Sequence, residues 1–117
     1  MTEDERVSQC FSFLLERGFT FERDYSKGTD STCTQIYRFK KDAANFIEYR
    51  VLSEKERSLV VTVKGEKKFP SLEKRCPAFA RSWKLKHLFS KTDAWEYAAA
   101  LLQEEMRKTN TLFGIEI

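Results

Sequence analysis

From residue 19 to residue 64 the side chains alternate in short runs, a two-residue period that only extended strands convert into two distinct faces. Phe19, Phe21, Arg23 and Tyr25 alternate with Thr20, Glu22 and Asp24. The pattern resumes over residues 32–40, with Cys33, Gln35, Tyr37 and Phe39 on one side, and again over 45–52 and 59–64. The turn-rich stretch 26–31, the Lys41-Asp42 corner and the polar stretch 53–58 connect these runs. Connections so short cannot hold a crossover helix, so each strand pairs antiparallel with the next. The sequence predicts a four-stranded antiparallel meander.

Helical signals flank the strands. Thr2 followed by Glu5 has the spacing of a capping box. Val7, Cys10, Phe11, Leu14 and Leu15 recur at the helical interval, and Gly18 stands where a left-handed residue ends a helix. After the strands, Pro70-Ser71 opens a short helix that Pro77 interrupts or restarts. Residues 78–89 are expected to be helical with a broad buried face formed by Phe79, Trp83, Leu85, Leu88 and Phe89. Asp93 with Glu96 forms a second capping pair. It precedes the stripe Trp95, Ala98, Ala99, Leu102 and Met106, and Asn110 ends that helix. Residues 112–117 alternate weakly and suggest a fifth, C-terminal edge strand. The expected fold class is α+β: an N-terminal helix, the meander, and C-terminal helices packed on one face, in a single compact domain over residues 1–117.

Composition agrees with a packed chain. Among 117 residues, 41% are hydrophobic and ten are Phe, more apolar surface than a disordered chain carries. No apolar run approaches the roughly 20 residues needed to span a bilayer, and the start of the chain is acidic and polar, unlike a secretory leader. Three widely spaced cysteines, Cys10, Cys33 and Cys76, form no CxxC pair and suit a reducing compartment. A cytoplasmic protein without a membrane partner is expected.

Charge supplies the functional lead. The chain has net charge +3, yet residues 64–91 hold nine Lys/Arg against Glu66 and Glu73 alone. Such asymmetry makes a local field that selects acidic or polyanionic partners. Phe69, Phe79, Trp83 and Phe89 lie among these cations. Lys67, Lys68, Arg75, Arg81, Trp83, Lys84 and Lys86 are therefore the candidate contacts, cations for phosphate or carboxylate and the indole for stacking. An aromatic between lysines also has a plainer use, anchoring a helix whose other side is solvated.

Catalytic signals are sparse. His87 is the sole histidine and has only cations nearby in sequence, so no His-rich metal centre is available. Cys10 falls on an apolar stripe, whereas Cys76 follows Lys74-Arg75 at a helix start, a setting that favours the thiolate. Glu22, Asp24 and Glu48 are strand carboxylates whose pairing depends on register, and Glu22 and Asp24 share one face. There is no P-loop, GxGxxG turn, GxSxG elbow or HExxH helix, and no cofactor is indicated.

The expected function is a non-enzymatic binding or regulatory domain acting on a macromolecule, a protein in the first instance. The first alternative is single-stranded nucleic acid or RNA binding through the basic-aromatic segment. The second is a small enzyme or ligand-binding protein with a pocket between sheet and C-terminal helices bearing Arg38, Tyr49 and His87. Self-association through an edge strand or an aromatic sheet face is a further option for the partner.

Overall fold

A computed structural model describes residues 2–27, 33–52, 57–88 and 94–117. The chain order is α1 (Glu3–Cys10), α2 (Ser12–Leu15), β1 (Thr20–Lys27), β2 (Cys33–Asp42), β3 (Asn45–Val51), β4 (Arg57–Val63), β5 (Glu66–Lys68), α3 (Leu72–Arg75), α4 (Pro77–Lys86) and α5 (Ala94–Thr109). The fold is α+β, with an open antiparallel sheet in the order β1-β2-β3-β4-β5. No helix among the described residues is long and apolar enough to cross a membrane. The chain groups into two units, residues 12–70 and residues 1–11 with 71–117.

The first unit is the sheet. Its register aligns Glu22, Arg38, Glu48 and Val60 in one row, and Phe21, Phe39, Ile47 and Val61 in another. Because strand side chains alternate, the two rows lie on opposite faces. Tyr37, Phe39, Ile47, Tyr49, Val61 and Val63 are buried on the apolar face, where Phe21 stacks on Phe39 at 5.1 Å. Tyr37 and Tyr49 are paired across this face and both buried, so these rings belong to the core and present no exposed aromatic platform.

The sheet has five strands, one more than the alternation predicts. Glu66–Lys68 is entirely charged and exposed, so it shows no apolar period to read. Geometry places it instead: Lys64 and Gly65 both have positive φ, 52° and 82°, and this pair closes a hairpin onto β4. The C-terminal segment supplies no edge strand. Leu112 and Ile115 form only an isolated bridge around Phe113 and Gly114, both at positive φ, which reverses the chain before a ladder develops.

Both sheet edges are guarded. On β1, Arg23 and Asp24 are exposed, and the Asp24 carboxylate accepts the Tyr25 N–H at 2.8 Å. On β5 three consecutive charges face water. Charged, short or self-satisfied edges discourage pairing with another sheet.

The β2–β3 corner is held by Asp42, whose Oδ1 accepts the Ala44 N–H at 2.8 Å and the Asn45 side-chain amide at 3.0 Å. Asn45 in turn accepts the Lys64 N–H at 3.0 Å, tying this corner to the β4–β5 turn. These hydrogen bonds, the Ala44 N–H foremost, hold the Asp42 carboxyl below its ordinary range. A carboxyl so lowered adds stability that is present above its unfolded pKa and lost as pH falls through the folded value. Asp42→Ala should therefore be less stable than the parent at pH 7. The difference should fade below about pH 4, near the ordinary carboxylate pKa, in urea unfolding followed across pH.

The second unit is helical. The predicted cap is present: Thr2 Oγ1 accepts the Glu5 N–H at 3.2 Å, and Glu3, Asp4 and Glu5 occupy the positive end of α1. Arg6 meets Glu96 at 2.6 Å, the Trp95 indole donates to Glu3 at 2.6 Å, and Phe11 meets Trp95 edge-on at 6.2 Å. These contacts bind α1 to α5, whose buried stripe is Trp95, Ala99, Leu102 and Met106. Asn110 ends α5 at φ 58°, as its sequence position suggests. Asp93, the expected cap partner of Glu96, lies outside the described residues.

Candidate functional site

The basic run of residues 64–91 is distributed over both units. Lys67 and Lys68 stand on β5 and are exposed, followed by Phe69, which is 74% exposed. Arg75 belongs to α3, while Arg81, Trp83, Lys84 and Lys86 belong to α4. Lys91 lies outside the described residues.

Within the helical unit the cations divide by partner. The Arg75 guanidinium donates twice to Glu105 Oε1, which is 2% exposed, and lies 5.2 Å from the Phe113 ring. Lys108 donates to the Arg75 carbonyl at 3.1 Å and closes the end of α3. Lys84 meets Glu73 at 3.0 Å. Lys74, Arg81 and Lys86 are exposed and have no carboxylate partner among the described residues.

Cys76 is buried with its Sγ 3.9 Å from Glu105 Oε2. Burial raises its thiol above the ordinary range; Glu105 and Glu104 reinforce this, and Lys108 and Arg75 oppose it. The adjacent cations, which by themselves favour a thiolate, are thus outweighed. Arg75 spends its charge on Glu105, and Cys76 packs as a small hydrophobe.

Trp83 faces inward and is half-buried. Its ring lies 4.2 Å from His87, 6.3 Å from Phe79 and 6.2 Å from Tyr97. His87 Nδ1 sits 3.1 Å from the Trp83 carbonyl, which can only accept. Nδ1 therefore carries hydrogen, and in the neutral ring the lone pair is on Nε2. Helical geometry explains the placement. Phe79, Trp83 and His87 recur every four residues and, with Ala80, define the inward side of α4.

The opposite side is the feature the sequence does not reveal. Ala78, Arg81 and Leu85 fall at intervals of three and four on one outward stripe, and Leu88 follows in the turn beyond the helix end. Leu85 is 73% and Leu88 65% exposed, although the sequence suggests that both are buried. The Leu88 N–H donates to the Leu85 carbonyl at 3.4 Å, continuing the turn past the helix end. Arg81 lies within the stripe, and Lys84 and Lys86 flank it on opposite sides. The only available signal was period. Phe79, Trp83 and Leu85 are spread around a ten-residue helix and cannot all point inward, and Trp83 with its neighbours already fills that side.

On the sheet, register joins the carboxylates that the sequence left unpaired. Arg38 donates to Glu48 at 2.9 Å through Nε and to Glu22 at 3.2 Å through Nη1, and approaches Asp24 to 3.6 Å. Arg50 meets Glu48 at 3.1 Å and Lys40 meets Glu22 at 3.6 Å. Three cations therefore neutralise three carboxylates across β1, β2 and β3. Burial works against the Arg38 charge, but hydrogen bonds to Glu48 and Glu22 raise its pKa above the ordinary value. Such a network braces the sheet. Glu48 accepts from Arg38 and Arg50, and Glu22 accepts from Arg38. Among the described residues no group of three His, Cys, Asp or Glu is placed to hold a metal ion.

Compared with models of known protein families, with curated proteins and with solved structures, the chain matches none.

Proposed function

We propose that this chain is a non-enzymatic binding module that docks another protein on the outward side of α4. The observation that carries this is the exposure of Leu85, in line with Arg81 on a ten-residue helix without an acidic side chain, and of Leu88 in the turn that follows it. Single exposed leucines are ordinary, but two on one turn make an anchor. Full burial of both in an interface is worth roughly 3–6 kcal/mol before the cost of association. Arg81 and Lys86 then serve as a steering rim.

Supporting the same reading, Arg75 and Lys84 are engaged with carboxylates and Trp83 with other rings. This leaves fewer groups for phosphates and bases than the sequence offers. A polynucleotide reading keeps one specific observation, the exposed Phe69 beside Lys67 and Lys68.

The test is capture by the full chain from a nuclease-treated extract of its source cells. The captured protein is then identified and the complex rebuilt from purified components. The expected result is a one-to-one complex that Leu85→Gln/Leu88→Gln weakens at least about tenfold, as expected when anchor side chains are removed. A rebuilt complex indifferent to both leucines would overturn the proposal. So would tight, salt-sensitive binding of poly(U) in the absence of any rebuilt protein complex.

A further inference from the structure

Resting on that reading, we infer that the occupant of the α4 surface is an acidic amphipathic helix of a different protein. The charge on the page selects its sign. Between Leu72 and Leu88 stand five Lys/Arg and one acid, Glu73, which is taken by Lys84. Arg75 is likewise taken by Glu105. What remains open to a partner is Lys74, Arg81 and Lys86, all positive. A partner that covers the leucines must pass within reach of Arg81, which lies in the same stripe. A carboxylate there gains a charge-assisted hydrogen bond, whereas a second cation is repelled.

The same geometry argues against the other occupants. In a two-fold dimer through α4, this surface, whose open charges are all positive, would face a like-charged copy of itself. A membrane surface is held by a broad apolar face, yet here that face is two leucines, with Phe79 and Trp83 turned inward. Nucleic acid would use the cations but leave both leucines unexplained, and Trp83 is already engaged with His87, Phe79 and Tyr97. Shape completes the choice. Ala78, the small residue of the stripe, lets another helix approach closely, while Leu85 and Leu88 supply the ridge it packs against.

The probe is a synthetic peptide of about 18 residues, five helical turns, with leucines at i, i+3, i+4 and i+7 and glutamates flanking them. Binding to the full chain is measured by titration calorimetry and by perturbation of the Leu85 and Leu88 methyl resonances. Three controls accompany it: a shuffled peptide of equal composition, a lysine-flanked version, and phosphatidylserine vesicles. The expected result is saturable binding centred on those methyls, at least about tenfold weaker for both control peptides. Leu85→Gln/Leu88→Gln should cost at least about tenfold, and Arg81→Glu/Lys86→Glu a similar factor at low salt that narrows as salt is added. Both pairs are exposed, so circular dichroism should show unchanged folding.

Absence of saturable binding, or equal binding of the lysine-flanked peptide, would overturn the acidic-helix inference. Binding to vesicles in preference to peptide, or a concentration-dependent dimer lost in the leucine variant, would also overturn it. If the peptide fails while a rebuilt protein complex still depends on Leu85 and Leu88, the docking function stands and only the partner's chemistry is wrong.

Discussion

Arg38→Met should lower the free energy of unfolding by about 2–3 kcal/mol, because it leaves the buried Glu48 carboxylate with half of its partners. Glu48 is 3% exposed and accepts from Arg38 on one oxygen and from Arg50 on the other. Removal of one member of a buried pair costs more than removal of both, since the remaining charge keeps its desolvation penalty. Arg50 is still present in the variant, which moderates the loss. The check is a double-mutant cycle by urea unfolding. Arg38→Met/Glu48→Met should recover most of the stability lost in Arg38→Met alone, because paired apolar residues fit a strand as well as a paired charge does. Additive losses in the double variant would show that the two side chains do not act as a unit.

That network also shows where sequence reasoning reaches and where it stops. The alternation of Phe21, Arg23 and Tyr25 with Glu22 and Asp24 gave both faces of β1 correctly, since period two is a local property. The partners of those carboxylates depend on register, which the hydrophobic pattern narrows but does not number. Arg38 opposite Glu22 on one side and Glu48 on the other is visible only once the turns are counted in three dimensions. At the β4–β5 turn, Lys64 and Gly65 carry the information for β5 in backbone φ values, while Glu66–Lys68 offers no apolar residue to anchor a strand assignment.

The helical unit fails differently. Thr2, Pro77 and Asn110 mark boundaries through their own chemistry, and those boundaries hold. Which side of α4 turns inward is a competition, however. Leu85 and Leu88 are as hydrophobic as the residues that win it. Phe79, Trp83 and His87 win because they stack on one another and, through Trp83, on Tyr97, gaining ring contacts that leucine cannot make. Charge alone leads to this part of the chain, whereas the ring contacts that engage Trp83 and the exposure of Leu85 and Leu88 follow from how α4 packs.

Arg75 separates structure from binding within that same basic run. Arg75→Met should destabilise the protein by about 3 kcal/mol, the lower end of the range for breaking a buried ion pair. Glu105 is 2% exposed and loses two guanidinium donors, keeping only the weak approach of the Cys76 thiol at 3.9 Å. The cost stays at that lower end because Arg75 itself is 45% exposed, so water can enter where it stood. Arg75→Lys should retain part of the stability through its charge but lose the doubled hydrogen bond. Glu105→Met combined with Arg75→Met should restore most of it, with thermal and urea unfolding agreeing. The decisive contrast is binding. At a temperature where Arg75→Met remains folded, its affinity for an acidic partner should stay within about twofold of the parent, whereas Arg81→Glu should lose at least about tenfold. A cation already spent on a buried carboxylate has little left to offer a second one. Equal losses at Arg75 and Arg81 would mean that the ion pair opens on binding, and that both arginines belong to the docking surface.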